Sequence, residues 1–378
     1  MTAAAEEVSL KKTALYEEHI GLGGKMVNFG GWSLPIYYTS ILLEHRWTRE
    51  SCGVFDVSHL GEIRVQGKDA FTFLQHRLTQ DLEKVKPGRI LYNLLCDEKG
   101  GILDDILVCC ESAEDYYLIV NAANADADFE AFKSAAPDSV TITNQSDRTS
   151  CLAVQGPKAE EILEKLFKFS LKKLPYYAFC EESFLGEPVW VSRSGYTGED
   201  GFEIFSSNEL SPKIWKKLLS EGKSLGVLPA GLGARNTLRL EAGNLLCGSD
   251  MDRTTTPLEA GLGFAVSFEK PGGFVGREAL LLQKKNGISR LMAAFRMKDK
   301  PIAREHYKIF SAEGGKNREI GVVTSGSFGP TAEASIGLGY IVRGFETPGT
   351  EIEIEIHGQL ARAEIVKRPF VPQKHKKI

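Results

Sequence analysis

No apolar run in the sequence approaches the roughly 20 residues that cross a bilayer, so no membrane span is predicted. Residues 1–10 have neither the apolar core of a signal peptide nor the arginine-rich pattern of a transit peptide. These absences predict a cytoplasmic protein, or a protein of the mitochondrial matrix if the chain is a mature eukaryotic one.

Several common chemistries are missing as well. The formal net charge is -4 and no basic stripe is interleaved with aromatic residues, which argues against a nucleic-acid binder. The seven cysteines have no Cys-x-x-Cys spacing and the seven histidines are dispersed, so neither a disulfide framework nor structural zinc is predicted. The glycine clusters at 21–24, 261–263 and 337–339 are incomplete dinucleotide motifs, and no phosphate-binding loop or nucleophile-elbow serine occurs. His59 has no cysteine or serine partner, and we interpret it as structural.

The pattern of the 378 residues changes along the chain, and this length suits two or three domains. Residues 62–136 alternate between strand and helix patterns, in the order of a split βαβ (ferredoxin-like) sheet with helices on one face. A second α+β unit begins at Cys151 and ends with a helix over 212–225. Beyond residue 285, short strands separated by turns such as Gly314-Gly315 predict a small antiparallel barrel or jelly roll.

An acidic pair, Asp104 and Asp105, interrupts an apolar strand pattern that opens with Gly100-Gly101. Successive side chains of a strand point to opposite faces, so one acid faces the covered side, and parity alone does not say which. The pair is consistent with one solvated acid and one turn-capping acid. It is equally consistent with a carboxylate held beside a ligand nitrogen. Tyr92 can contact the same ligand or be plain core.

A second group of acids follows a tight turn at residues 195–201. Glu199, Asp200 and Glu203 are close in sequence and cannot all be buried. A carboxylate suits a flat heterocycle that presents two adjacent N–H donors, such as a pterin or a guanine. A solvated acidic loop is the alternative interpretation.

Arg235 precedes a predicted helix over 236–246. A cation near the beginning of a helix is disfavoured by the helix dipole. We therefore expect Arg235 to pair with an acid or to reach a ligand carboxylate. Arg239 and Glu241 are interpreted as parts of a structural ion network.

These motifs together resemble the aminomethyltransferases of the glycine cleavage system, the T-proteins, over residues 13–372. The resemblance rests on motifs that occur in the family's order. They are Gly23-Gly24-Lys25-Met26-Val27, Phe29-Gly30-Gly31-Trp32-Ser33-Leu34-Pro35, Phe55-Asp56-Val57-Ser58-His59, Gly100-Gly101-Ile102-Leu103-Asp104-Asp105, Val154-Gln155-Gly156-Pro157, Gly195-Tyr196-Thr197-Gly198-Glu199-Asp200-Gly201, Leu238-Arg239-Leu240-Glu241-Ala242-Gly243, Thr324-Ser325-Gly326 and Pro369-Phe370-Val371-Pro372.

The resemblance implies an α+β protein with three domains arranged as a cloverleaf around a folate site. Residues 1–56 plus about 145–284 are expected to form the folate-binding domain, 57–144 an inserted ferredoxin-like domain, and 285–378 the barrel. The implied reaction transfers the aminomethyl carbon from the lipoyl arm of the H-protein to tetrahydrofolate, releasing ammonia and forming 5,10-methylenetetrahydrofolate. The expected partners are the lipoylated H-protein and the folate co-substrate, with no metal, nucleic acid or membrane.

The resemblance also implies roles for individual residues. Asp105 is expected to be the catalytic acid, because a preorganised carboxylate can orient the folate nitrogens and stabilise positive charge as ammonia leaves. Glu199 is expected to bind the pterin and Arg235 to contact the folate. Further pocket-lining positions are Tyr92, Asn121, Tyr196 and Phe264.

Four positions depart from the family's usual pattern. Asn236 stands in place of an aspartate, Phe264 in place of a tryptophan, and Gly329 in place of a serine. The segment Gln373-Lys374-His375 has no tyrosine where some relatives present one. Because Asp105 and Glu199 are retained, activity is still expected.

A folate-binding scaffold or regulatory protein of the same superfamily is the alternative function. Its expected hallmark is a Lys-Gly-Cys-Tyr-x-Gly-Gln-Glu loop. This chain has Ser194-Gly195-Tyr196-Thr197-Gly198-Glu199-Asp200 there, without cysteine. A flavin-fused demethylating relative is disfavoured because no flavin-binding half is present. The sequence therefore favours the transferase.

Overall fold

The alternating strand and helix patterns fold, in a computed structural model, into a two-stranded hairpin, a six-stranded sheet, a five-stranded sheet and a closed six-stranded barrel. The structure describes residues 10–312 and 318–376. The predicted turn at Gly314-Gly315, and all but the last of residues 1–10, lie outside the described residues. Within the described ranges, no helix is both long and apolar enough to span a membrane. The predicted α+β class is confirmed.

The first elements bring the chain to one strand of the six-stranded sheet. The Ser40 hydroxyl accepts the Leu43 N–H at 3.2 Å and so caps the helix that begins at Ile41. The elements are α1 (Tyr16–Gly21), β1 (Met26–Phe29), β2 (Trp32–Pro35), α2 (Ile41–Glu50) and β3 (Cys52–Asp56).

The five-stranded antiparallel sheet is inserted between β3 and the next strand of the six-stranded sheet. Two helices cover one of its faces, where Phe73 and Phe132 share an apolar core with Ile106 and Val108. The elements are β4 (Gly61–Gln66), α3 (Ala70–Arg77), β5 (Arg89–Cys96), β6 (Ile102–Ser112), β7 (Asp115–Val120), α4 (Ala125–Ala135) and β8 (Thr141–Asn144), and the strand order is β5-β6-β7-β4-β8.

The six-stranded sheet is completed by the chain after residue 148. Its outer face is covered by two helices, with Leu163 and Trp215 packed in one core with Val154 and Ile204. The elements are β9 (Thr149–Gln155), α5 (Ala159–Phe167), β10 (Phe179–Phe184), β11 (Glu187–Ser192), β12 (Gly201–Ser207), α6 (Ser211–Ser220), β13 (Val227–Pro229), α7 (Leu232–Glu241) and α8 (Arg277–Asn286). The strand order is β10-β11-β12-β9-β3-β13, with β13 parallel to β3.

Two predicted helices have different bounds in the structure. The helix predicted over 212–225 ends at Ser220, and a short 3₁₀ turn follows over Gly222–Leu225. The helix predicted over 236–246 is α7, which begins at Leu232 and ends at Glu241. Arg235 therefore lies inside the first turn of α7 rather than before it, because Gly231 can begin the helix without a side-chain cap.

The two sheets face each other through a shared apolar layer. Cys109, Tyr117 and Ile119 of the five-stranded sheet belong to one core with Phe55 and Phe205 of the six-stranded sheet. Each sheet is thus covered by helices on its outer face and by the other sheet on its inner face. The candidate site lies beside this layer.

The chain after α8 forms the barrel. Its interior is filled by aliphatic side chains such as Ile309, Ile341 and Ile354, while Ala294 and Tyr340 on its outside share a core with Leu94. The strands are β14 (Arg290–Met297), β15 (Lys308–Ser311), β16 (Glu319–Gly329), β17 (Ala334–Val342), β18 (Glu351–Ile356) and β19 (Gln359–Val366), closed in the order β14-β17-β16-β15-β18-β19. The antiparallel barrel is confirmed, rather than a jelly roll.

Candidate functional site

A cavity of about 480 Å³ lies between the two facing sheets, α7 and the segment that follows the barrel. Its volume falls in the range of about 300–1,000 Å³ that is common for small-molecule sites. Six predicted site residues line the cavity, and Glu199 does not. The six are Tyr92, Asp105, Asn121, Tyr196, Arg235 and Phe264.

Strand β6 directs Asp105 to the cavity. Leu107 and Cys109, two and four residues further on, contact the apolar layer between the sheets. Ile106 and Val108 belong to the core under the helices instead. Because side chains alternate along a strand, Asp105 faces the six-stranded sheet and Asp104 faces the helices. The structure thus shows which of the two acids faces the helix-covered side of the sheet, a question that strand parity alone had left open.

Asn121 holds the Asp105 carboxylate. Its Nδ2 donates to Asp105 Oδ1 at 2.8 Å and to the Asp105 carbonyl oxygen at 3.1 Å. Burial and the neighbouring Asp104 charge raise the pKa of Asp105 to about 7, although hydrogen bonds from Tyr92 and Asn121 oppose the shift. A carboxyl group that titrates near neutrality is suited to proton transfer and to responding to charge in a ligand.

Asp104 is fully buried behind Asp105 and organises the donors around it. It accepts the Asn121 N–H at 2.9 Å, the Asn121 side chain at 2.9 Å and the Asn124 side chain at 2.7 Å. Burial, together with the Asp104 charge, raises the pKa of nearby Asp128 to about 9. At neutral pH Asp128 is therefore protonated.

Among the described residues, Asp104, Asp105 and Cys247 could hold a metal ion by spacing, since their ligand atoms lie within 4.8 Å of one another. Their carboxylate oxygens, however, already accept amide N–H groups from Asn121 and Asn124. Burial raises the pKa of the Cys247 thiol, which disfavours the thiolate that binds metals. The donor set fits an ordered polar cluster better than a metal site.

Aromatic rings form two walls of the cavity. Tyr92 and Phe264 stack with ring centroids 5.9 Å apart and an interplanar angle of 27°. Phe264 is 68% exposed, so this pair stands at the mouth of the cavity. On the opposite wall, His375 stacks on Tyr176 at 4.1 Å, and Tyr176 stacks on Tyr177 at 4.5 Å. Flat walls of this kind suit an aromatic ligand.

Arg235 and Glu203 provide opposite charges on the cavity wall. The Arg235 guanidinium lies over the Tyr196 ring at 4.6 Å, and burial lowers the pKa of Arg235. Glu203 accepts the Ser194 hydroxyl, and burial raises the pKa of this carboxyl group. Asn236 accepts a hydrogen bond from Arg239 Nε at 2.8 Å. The departure at Asn236 therefore bears on Arg239.

Glu199 is buried on the other side of the cavity wall. Its Oε1 accepts Arg49 Nη1 at 3.1 Å and Lys374 Nζ at 3.0 Å. Both partners are protein side chains, and Glu199 is absent from the cavity lining. Its predicted contact with a pterin therefore stays a prediction, and Glu203, four residues further on, is better situated for it.

Strand parity places Glu203 on the face opposite Phe202 and Ile204, and the packing of β12 decides which of the two faces meets the cavity. Phe202 and Ile204 of β12 point to the helix-covered face, whereas Phe205 points to the layer between the sheets. Glu203 shares the face of Phe205 and therefore faces the five-stranded sheet. Tyr176, Tyr177 and Arg368 also line the cavity, and no motif in the sequence indicated them. His59 is buried against Phe29, at 5.5 Å between ring centroids, and does not line the cavity.

The chain matches two family models that together cover most of its length. The GCVT N-terminal domain matches residues 15–270. The glycine cleavage T-protein C-terminal barrel domain matches residues 290–372, which include the barrel strands.

Full-length relatives agree with these matches. The aminomethyltransferase of Thermosipho melanesiensis is 48% identical over 363 residues, covering 96% of this chain and 97% of the relative. The aminomethyltransferase of Halothermothrix orenii is 43% identical over 362 residues, covering 96% and 100%. The crystal structure of glycine cleavage system aminomethyltransferase T from Bartonella henselae superposes with a TM-score of 0.91 at 35% identity, covering 98% of this chain and 100% of that one.

Proposed function

The chain belongs to the glycine cleavage T-protein family and is an aminomethyltransferase, and we propose that the cavity between its facing sheets is where the transfer takes place. The aminomethyl carbon carried by the lipoyl arm of the H-protein passes there to tetrahydrofolate. Ammonia leaves and 5,10-methylenetetrahydrofolate forms. The observation that carries this proposal is the Asp105 carboxyl group, which lines the cavity with a pKa raised to about 7.

Asp105 is the proposed catalytic residue. A carboxylate held by Asn121 at 2.8 Å is oriented before the substrates arrive. In a buried site it can hydrogen-bond the folate near its reacting nitrogens and stabilise the positive charge that develops as ammonia leaves. Because its pKa lies near neutrality, it can also accept and return a proton within one turnover.

The folate is proposed to lie with its pterin toward Glu203 and its p-aminobenzoyl ring along the aromatic walls. The Glu203 carboxylate offers two acceptor oxygens to the donor edge of a pterin, the role that the resemblance gives to Glu199. Arg235 lines the same cavity and supplies a cation for the folate. Tyr92, Asn121, Tyr196 and Phe264 are the further proposed contacts, all of them lining residues.

Three domains are proposed to surround this site. The topology supports residues 1–56 plus about 145–284 as one domain, since β3 pairs with β9 across the inserted stretch. Residues 57–144, which carry the five-stranded sheet, form the second domain, and residues 285–378, which carry the barrel, form the third. The lipoylated H-protein is the proposed macromolecular partner, because its arm must bring the aminomethyl group to Asp105.

Ammonia release from aminomethylated H-protein, measured with and without tetrahydrofolate, tests the function. We expect release that depends strongly on folate in the wild type and in Asp126→Asn, a control whose carboxylate is 87% exposed on α4. Release that is absent despite measurable folate binding would contradict the transferase and support the superfamily alternative, a folate-binding scaffold or regulator.

A further inference from the structure

The segment after the barrel crosses the acidic loop at residues 198–200. We refer to residues 373–376 as the strap. The Lys374 N–H donates to the Gly198 carbonyl oxygen at 2.8 Å, and Gln373 Nε2 donates to the Ala242 carbonyl oxygen at 3.0 Å. The strap is thus attached both to the loop before β12 and to the end of α7.

Charge complementarity reinforces these backbone contacts. Lys374 Nζ lies 3.0 Å from Glu199 Oε1, and Lys376 Nζ lies 2.8 Å from Glu160 Oε2. The Lys376 N–H also donates to Asp200 Oδ1 at 3.4 Å. The three acids that face the strap are balanced by its two lysines and by Arg49 and Arg193 beneath them.

The strap contributes directly to the cavity. Gln373 and His375 are lining residues, and His375 lies flat on Tyr176 with an interplanar angle of 17°. Lys374 stands between these two residues and carries the ion pair to Glu199. The Lys374–Glu199 ion pair is therefore one of the contacts that attach this stretch of the wall to the rest of the protein.

Glu199 contacts the strap and not the cavity. Its side chain is 1% exposed, while that of Lys374 is 54% exposed. Glu199 Oε1 bridges Lys374 to Arg49, which in turn reaches Glu241 Oε2 at 3.0 Å. Through Arg49, the strap is connected to α2 and α7, the helices behind the cavity wall.

We propose that Glu199 is a positioning residue, which holds the strap in place through Lys374 and thereby keeps Gln373 and His375 in the wall of the folate cavity. This inference rests on the proposed function of the cavity. It differs from a direct Glu199–pterin contact in a measurable way. If Glu199 acts through the strap, changing Glu199 has no further effect on folate binding once the strap has been removed.

A double-mutant cycle separates the two roles. The variants are Glu199→Gln, removal of residues 373–378, and both changes together, and the readouts are the tetrahydrofolate Kd and the kcat at saturating folate. Each single change is expected to raise the tetrahydrofolate Kd about tenfold, because the folate loses one aromatic contact in the cavity wall. The kcat is expected to change less than about twofold. The combined variant is expected to match the truncation alone. Multiplicative effects on Kd, or an unchanged Kd after truncation, would overturn the proposal.

Lys374→Met tests the same ion pair from its exposed end, in case Glu199→Gln unfolds because buried Arg49 loses one of its two carboxylate partners. It is expected to raise the folate Kd in the same direction as Glu199→Gln, and an unchanged Kd would also overturn the proposal. Lys308→Met, which removes an exposed ion pair with Glu319 in the barrel, is the matched control and should leave Kd unchanged. A wild type that binds no folate would contradict the proposed function itself. A wild type that binds folate with a Kd that the strap changes do not alter would contradict only the role of the strap.

Discussion

At the scale of single residues, the proposed chemistry depends on the Asp105 carboxylate, whose pKa is raised to about 7 by burial and by Asp104. We expect Asp105→Asn to lower kcat for ammonia release by about 10²–10³, because an amide cannot stabilise developing positive charge as a carboxylate does. The fold and the tetrahydrofolate Kd should be retained. Turnover at the wild-type rate in this variant would remove Asp105 from the mechanism.

The pKa of Asp105 also predicts a pH dependence. Because burial raises this pKa to about 7, the ionised fraction grows as pH rises through neutrality. The folate-dependent rate of the wild type should therefore increase through pH 7 and then level off. The residual rate of Asp105→Asn should lack this limb, and a wild-type profile that is flat from pH 6 to 8 would contradict the assignment.

Asp104 is the second residue whose role can be tested. It accepts three N–H groups of Asn121 and Asn124, and an amide at this position would turn its own donors toward them. We expect Asp104→Asn to lower kcat about tenfold by displacing Asn121 from Asp105, with a smaller change in folate Kd. Asp126→Asn, on the same side of the sheet but exposed, is the control.

At the scale of elements, Glu241 joins α7 to α2 and to the barrel. It pairs with Arg49 at 3.0 Å and His45 at 3.1 Å, and accepts the N–H groups of Thr331 and Ala332. Burial opposes its ionisation, but the hydrogen bond from His45 and these further partners lower the pKa of Glu241 to about 2. The ionised carboxylate therefore stabilises the junction of these elements.

Glu241→Gln should lower Tm by about 5 °C or more at pH 7, because it removes one of the two carboxylates that balance buried Arg49 and weakens the hydrogen bonds that join α7 to His45, Thr331 and Ala332. Because the pKa of Glu241 in the folded protein lies below its ordinary value, the ionised carboxylate stabilises the fold above about pH 4.5. This stabilisation is lost as the pH falls toward 2. The difference in Tm between wild type and Glu241→Gln should thus shrink on acidification. A difference that stays constant with pH in thermal unfolding would contradict the role of the charge.

The elements themselves were largely predictable. Ser40 marks the beginning of α2, and apolar alternation marks β4, β6 and β12, since these signals are local. The helix α7 was predicted to begin at residue 236, but it begins at Leu232. The residue before it, Gly231, has no side chain that could cap the helix, so no local signal marks this beginning.

At the scale of the whole molecule, the cavity is bounded by both sheets, α7 and the strap, so one ligand contacts elements that are far apart in sequence. Ligand that binds only the folded protein stabilises it by mass action. Tetrahydrofolate at about 100 times its Kd should therefore raise Tm in a single transition, by an amount equivalent to about 2.7 kcal/mol. The shift should be smaller at the same folate concentration after removal of residues 373–378. A folate-induced shift confined to one of several transitions would contradict a site shared by all of these elements.

The sequence by itself determined the fold class, the order of the motifs, and the acidic pair and the arginine as candidate site residues, because these follow from local periodicity and residue chemistry. Only the tertiary structure decided which acids face the cavity. Glu203 faces it because its face of β12 meets the second sheet, whereas Glu199 lies in the loop before β12 and pairs with Arg49 and Lys374 instead. The pairing of Glu199 with Lys374, 175 residues apart, likewise depends on where the barrel returns the chain. Contacts of this kind are set by the packing of distant elements, which no local pattern specifies.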